Sequence, residues 1–540
     1  FFKQTTAYEI SLGLVGSEMC IRDRFEGLLT ITVFLPATVA ILVTLFARGK
    51  EVDRQVRWIS IAASAVTFAL TVMVYVGYDQ AVGGIQMVDY YERWIPVDAL
   101  RSSYLLGVDG LSAPLVLLTG ILGLAAAFAS WRIKKRVREY FMWLLLLETA
   151  VLGVFVSLDL LLFFIFFEFE LIPMFMLIVL WGSGRPRYSA MKFVLFTLAG
   201  GAFMLVGILA IYVTPDVGTL AMVSIPELGI TGIPELMAGA KLALPAALIF
   251  GFFFIAFAVK LPLWPVHSWL PDAHTDAPTA VSVMLAGVLL QMAGYGRLRI
   301  KIGFFQETQD FTIHDVAGPM AIIAAISVIY GGIVTVRQTD MKRLIAYSSV
   351  SHMGFVMLGL SAVGASAVDT SAAGLNGAAL QMFTHGTITG LAFLMVGLSY
   401  DRTHTRHIPH LGGLWKKMPM IAIFFLIAGF GSLGLPALSG FVAEIMVFLG
   451  TFSVWPWPTA VAAFGVVLAA GYTLWMVQRV FFGARPATPG LSDQVYENLT
   501  DASWVDMIPV IILAAPIFII GLWPSVVTDV FDIGIQAVLR

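Results

Sequence analysis

Seven ionisable side chains stand in stretches that are otherwise too apolar to hold them: Glu148, Glu168, Glu170, Lys260, His352, His385 and Glu444. Gln291 adds a neutral polar group in the same kind of setting. A charge placed in hydrocarbon is costly, so such residues face an interior or a water-filled path and mark ion or proton routes. A Glu–Lys pair carried on two helices lets each partner set the other's hold on its proton. Histidines exchange protons near neutral pH, and a glutamine can order water without holding a proton. The set covers both halves of the chain, which suits a pathway better than a single centre. Glu168 and Glu170 lie about 200° apart around an ideal helix, so both cannot face one interior. Lys260 sits at the end of an apolar run, just before Pro262 and Pro265.

The elements that carry these residues follow from composition. The 540 residues are 59% hydrophobic and 12% charged, roughly half of the ~25% charge of a soluble chain. The mean hydropathy is +0.89. A net charge of −2 leaves no basic footprint for nucleic acid. A single cysteine, Cys20, excludes a disulfide framework, a zinc ribbon and a four-cysteine cluster. An all-α polytopic membrane protein is expected, because only helices or closed barrels satisfy their backbone in lipid.

Fourteen apolar runs are long enough to span: 26–47, 56–77, 109–130, 140–157, 158–181, 189–213, 242–262, 277–300, 315–336, 344–361, 373–399, 418–450, 456–482 and 506–530. Residues 1–24, ending in SLGLVGSEMCIRDR, lack the apolar core of a signal peptide. They are expected to be a non-native leader and are set aside. The loops after odd-numbered spans and their flanks hold 21 Lys and Arg, against 7 on the other face. That bias predicts cytoplasmic odd loops and both termini outside. Arg297, Arg299 and Lys301 run against it.

Pro262 and Pro265 break the seventh span, and GSLGLPALSG (431–440) breaks the twelfth. Glu168 to Lys260 and His352 to Glu444 are each 92 positions apart. Broken helices at matching places point to inverted repeats with ion sites at mid-membrane. The expected divisions are spans 1–3 (25–138), a first repeat of spans 4–8 (139–301), an inverted second repeat of spans 9–13 (302–482), and a loop with span 14 (483–540).

The stretch FFIAFAVKLPLWPVHSWLPDAHTDAPTAVSVMLAGVLLQMAGYG (253–296) resembles the proton-pumping antiporter-like subunits of respiratory complex I. So do FFEFELIPM (166–174), DMKRLIAYSSVSHMGF (340–355) and LQMFTHGTITG (380–390). Glu444, in GFVAE, is similar to the M, or chain 4, branch of that family. The resemblance implies two inverted five-helix repeats and a proton-pumping role within an NADH:quinone oxidoreductase. It also implies other complex I membrane subunits as partners, a bacterial inner membrane, and no cofactor or metal in this chain. It assigns the relay to Glu168, Lys260, His352, His385 and Glu444, with Glu168 rather than Glu170 as the partner of Lys260. Glu148, Glu170, His267 and Gln291 are further pathway candidates, and His274 beside His267 is read as shaping the site or relaying. Gln291 departs from the family, many of whose members have a Lys there. A subunit of a multi-subunit cation/proton antiporter is the alternative reading, and a quinone- or haem-binding membrane enzyme is a third.

Overall fold

A computed structural model describes residues 27–539 apart from 47–51, 93, 98–100, 307, 309, 366–367 and 487–489. The expected leader, residues 1–24, lies outside the described residues. Helices follow the apolar runs. The first six are α1 (Leu28–Phe46), α2 (Val52–Gly77), α3 (Ser112–Ala129), α4 (Val137–Val156), α5 (Leu160–Trp181) and α6 (Pro186–Tyr212). The seventh run, 242–262, holds only α7 (Ala246–Lys260), and a second short helix, α8 (Trp269–Asp276), follows beyond its expected end. Then come α9 (Thr279–Ile302), α10 (His314–Val336), α11 (Met341–Leu360) and α12 (Val368–Thr403). The twelfth run is divided into α13 (Pro419–Ser432) and α14 (Ser439–Phe452). The chain continues through α15 (Pro456–Phe482), α16 (Trp504–Leu522) and α17 (Ser525–Leu539).

Among the described residues, twelve helices are long and apolar enough to cross a membrane. The seventh and twelfth runs are not among them, because the helices they hold are shorter than a bilayer requires. A count of fourteen therefore depends on taking each broken pair as one crossing.

Burial separates an inner layer from a lipid-facing one. The most apolar stretch of α12 is 100% buried and those of α9 and α11 are 94% buried, whereas those of α2 and α15 are 39% buried. The inner helices carry Gln291, His352, Gln381 and His385, and in a bilayer such polar groups must find partners within the bundle.

The fold departs from an all-α reading in one place. Strands β1 (Gln86–Tyr91) and β2 (Tyr104–Val108) pair antiparallel between α2 and α3, with Asp89 opposite Leu106. Asp89 accepts hydrogen bonds from the Gly27 and Thr30 amides at 2.7 and 2.8 Å, capping the start of α1. Asp159 ties the same cap to α5: it accepts from the Leu161 and Leu162 amides, from Ser102 Oγ and from the Ser103 amide.

The C-terminal span also differs from its expected extent of 506–530. α16 stops at Leu522, and α17 starts at Ser525, directly after Pro524. Val527, Val530, Phe531, Gly534 and Ile535 recur at helical spacing and bury one face of α17. That face meets the start of α3, where a Cβ on Gly534 would lie 2.4 Å from the Leu111 amide nitrogen.

Arg297, Arg299 and Lys301, the exception to the loop-charge bias, are not loop residues. They lie on a π-helical turn at the end of α9 and are 1%, 4% and 1% exposed. Arg299 reaches Asp109 at 2.5 Å, and Asp109 also accepts from the Leu111 and Ser112 amides at the start of α3. One carboxylate thus joins the N-terminal spans to α9. Removing one partner of a buried ion pair strands the other, at about 3–5 kcal/mol. Arg299→Met is therefore expected to destabilise the subunit by that amount, read as a lower yield and faster thermal loss of the assembled complex. Asp109→Asn added to it should restore part of the loss. A loss no greater than that of the exposed Arg187→Met would contradict this role.

Candidate functional site

The site begins at a kink. Pro173 has no amide hydrogen for the carbonyl of Phe169, and its ring crowds that carbonyl. The helix accordingly breaks at Glu170, between Leu160–Phe169 and Leu171–Trp181. Glu170 stands at the N-terminal end of the second segment, where the helix dipole favours an anion. Lys260 is the last residue of α7, where the dipole favours a cation. The two meet at 2.5 Å, with side chains 0% and 3% exposed. Lys260 Nζ also donates to the Phe167 carbonyl at 2.9 Å and lies 3.8 Å from the centre of the Phe167 ring.

The partner of Lys260 is thus Glu170, not the Glu168 that family register implies. The two carboxylates take different sides, as helix geometry requires, and Glu170 is the one that meets α7. Glu168 rests against α6, where a Cβ on Gly201 would come within 2.1 Å of its Oε1. It remains in electrostatic range of both Lys260 and Glu170, and its buried Oε1 has no hydrogen-bond partner.

The link from α7 to α8 satisfies its own backbone. Trp269 Nε1 donates to the Val259 carbonyl at 2.9 Å, and the Trp264 amide donates to Ser327 Oγ of α10 at 3.0 Å. Irregular backbone persists at membrane depth only with such partners. His267 lies on this link, 4% exposed, with its ring against Tyr330 and Tyr347. Its Nδ1 is buried without a partner.

A second group gathers around α12. Residues Leu285–Leu289 of α9 form a π turn, and the Gln291 amide donates to the Ala286 carbonyl and to His385 Nδ1, both at 3.2 Å. The His385 and His352 rings are 6.0 Å apart. His352 Nε2 is 3.0 Å from Ser432 Oγ at the end of α13, and its Nδ1 is 3.8 Å from Glu444 Oε1 on α14. Gly434, at φ +72°, makes the turn between these helices, and a Cβ there would lie 2.5 Å from Glu444 Oε2. A cavity of about 10 Å³ lies among His352, Gln381, His385, Thr389, Ser432 and Glu444. That is room for one water among several polar partners.

Glu148 joins neither group. It is 1% exposed on α4, accepts from Ser64 Oγ at 3.0 Å, and faces α2 and α3. Other buried groups escaped the sequence reading. Lys342, counted there as a loop cation, is 4% exposed and donates to the Ala277 carbonyl at 2.6 Å. Gln381 and Ser432 were not singled out, although Ser432 lies in the GSLGLPALSG break. Position in an apolar run is the only signal the sequence offers, and it does not reach a lysine in the first turn of a helix. Among the described residues, no three His, Cys, Asp or Glu side chains converge to hold a metal ion.

The arrangement offers acid–base groups at two helix breaks and an imidazole–amide pair near a water-sized cavity, which is the chemistry of proton transfer through a membrane. Known proteins agree on the fold. A family model described as NADH:quinone oxidoreductase/Mrp antiporter, TM, matches residues 157–469. NADH-quinone oxidoreductase subunit M of Rhodobacter capsulatus is 40% identical over 514 residues, covering 93% of this chain and 94% of that protein. NAD(P)H-quinone oxidoreductase chain 4 1 of Synechococcus sp. (strain JA-3-3Ab) is 39% identical over 518 residues, covering 94% and 92%. A chain of respiratory complex I from Thermus thermophilus superposes with a TM-score of 0.80 at 26% identity, covering 95% of this chain and 100% of its own. A chain of the Mrp complex from Dietzia sp. shares the fold, with a TM-score of 0.76 at 20% identity, covering 95% and 99%. With matches that run nearly end to end and include both helix breaks, this chain belongs to the NADH:quinone oxidoreductase/Mrp antiporter family of membrane subunits.

Proposed function

We propose that this chain is a proton-pumping membrane subunit of an NADH:quinone oxidoreductase, of the kind named subunit M or chain 4. The observation that carries the proposal is the sealed Glu170–Lys260 pair at two helix ends, in a chain 40% identical to a protein of that name. Glu170 and Lys260 hold and release protons in the first half, with Glu168 as the adjoining carboxylate. His385 and His352 carry them toward Glu444, and Gln291 orders the water beside His385. Glu148 and His267 are flanking groups of the route. The two broken crossings belong to two inverted repeats.

Electron transfer between NADH and quinone occurs in other subunits, and this chain holds no redox group. Its partners are the other membrane subunits of the complex. The chain sits in a bacterial inner membrane with its termini on the non-cytoplasmic side. Burial of Arg297, Arg299 and Lys301 supports that orientation by removing three charges from the sparsely charged face. The cation/proton antiporter reading rests on the shared family model and on a fold likeness at 20% identity.

Lys260→Ala is expected to reduce pumping-linked NADH oxidation to background while the complex still assembles, measured in membranes with a native gel alongside. Normal coupled turnover would contradict the relay. Gln291→Lys places an amine next to His385 and is expected to match or exceed the parent rate. Total loss of activity would give Gln291 a role that an amine cannot take.

A further inference from the structure

On the face of the basic loops, a vestibule of about 140 Å³ opens between α3, α9, α12 and α16. Its walls include Arg132, Thr279, Gly397, Asp401 and Asp506. Its size and polar lining admit several waters. Arg132 and Arg402 both grip Asp506, at 2.7 and 2.8 Å, which fixes one side of the mouth, and Asp401 stands exposed on the other. The floor is the start of α9, Pro278–Ala280, where a Cβ on Gly397 would come within 2.2 Å of Thr279 Cγ2.

Directly beyond that floor lies Lys342. Its Nζ donates to the Ala277 carbonyl at 2.6 Å and is 3.4 Å from Ser282 Oγ, on either side of Pro278–Ala280. It is in electrostatic range of Asp401 at the mouth, and of Asp276, Asp340 and Arg406 on the loops around it. Ser282 Oγ donates to the His274 carbonyl at 3.2 Å. The His274 ring is fully buried, in electrostatic range of Lys342, and neither ring nitrogen has a partner. It stacks on Phe393 of α12, centroids 4.5 Å apart and planes within 7°.

Phe393 is the middle of a stripe. His385, Thr389, Phe393, Gly397 and Asp401 recur every fourth residue, so they form one ridge that winds about 160° around α12. The stripe starts at the cavity between His385 and Glu444 and ends at the vestibule. At 1.5 Å per residue it covers about 24 Å. His274 docks halfway along it.

We propose that this vestibule is the port through which protons reach the central histidines, with Lys342 as the first buried acceptor and His274 as the next. A proton from vestibule water binds Lys342 and passes by way of Ser282 and intervening water to one nitrogen of His274. The other nitrogen of His274 releases a proton toward His385. The inference rests on the proton-pumping reading above and adds to it a port and a residue.

The test uses the whole complex in sealed membranes, with Cys20→Ser and Thr279→Cys in this chain and a charged, membrane-impermeant methanethiosulfonate as the probe. Applied to the basic-loop face, the reagent is expected to modify Thr279→Cys and to reduce pumping relative to the same untreated variant. Applied to the opposite face, it should leave pumping unchanged. No adduct from the basic-loop face, or an adduct with unchanged pumping, overturns the port. Lys342→Met and Lys342→Arg are compared in the same membranes. An arginine keeps the charge and its hydrogen bonds but does not give up its proton. Both variants are therefore expected to lose pumping by about a hundredfold, with the complex intact. Full pumping by Lys342→Arg would make Lys342 a structural cation and overturn the relay. Glu444→Gln separates the two levels: if it alone loses pumping, the port is wrong and the pumping reading stands. If it too pumps normally, both fail.

Discussion

The Glu170–Lys260 pair binds the first half of the chain to its own helix breaks. Neither charge would be tolerated alone at this depth, because removing one partner leaves the other buried and uncompensated. Pro173 supplies a helix N-terminus for the carboxylate, and the end of α7 supplies a helix C-terminus for the amine. Phe167 adds a carbonyl and a ring face on the remaining sides of the ammonium. Straightening either helix would remove the dipole end that its charge sits on. The breaks and the charges therefore explain each other.

The second half uses the same device with weaker contacts. The turn between α13 and α14 brings Ser432 and Glu444 to His352, but the His352–Glu444 separation of 3.8 Å leaves the two groups just short of a hydrogen bond. A water-sized cavity fills the space they share with His385. The first half thus holds a tight pair, and the second a looser cluster around a water-sized cavity.

Much of this was legible in the sequence, for a physical reason. Lys260, His352, His385 and Glu444 announce themselves because lipid makes polar residues rare, and the two breaks announce themselves through Pro262, Pro265 and GSLGLPALSG. The choice between Glu168 and Glu170 was not legible, because it turns on which side of α5 packs against α7 and which against α6. Helical periodicity separates the two carboxylates without saying which one meets Lys260, and family register points to Glu168, whereas the contact is with Glu170. Arg297, Lys301 and Lys342 were misplaced because charge near a span end reads as loop charge, whereas these side chains point into the bundle. The Asp109–Arg299 contact joins residues 190 positions apart, and no local pattern reports it. The hairpin of β1 and β2 was hidden in a polar connection, and α17 was fused with α16 because hydropathy does not register the turn at Pro524.

The most direct test of the account is proton translocation coupled to NADH oxidation in proteoliposomes that hold the whole complex, comparing Glu170→Gln and Glu168→Gln with the parent. If the sealed pair is the working element of the first half, Glu170→Gln loses both pumping and turnover with the complex intact, and the loss exceeds that of Glu168→Gln. Parent-level pumping by Glu170→Gln, together with its loss in Glu168→Gln, would contradict the account: the 2.5 Å contact would then be structural, and Glu168 would be the proton carrier.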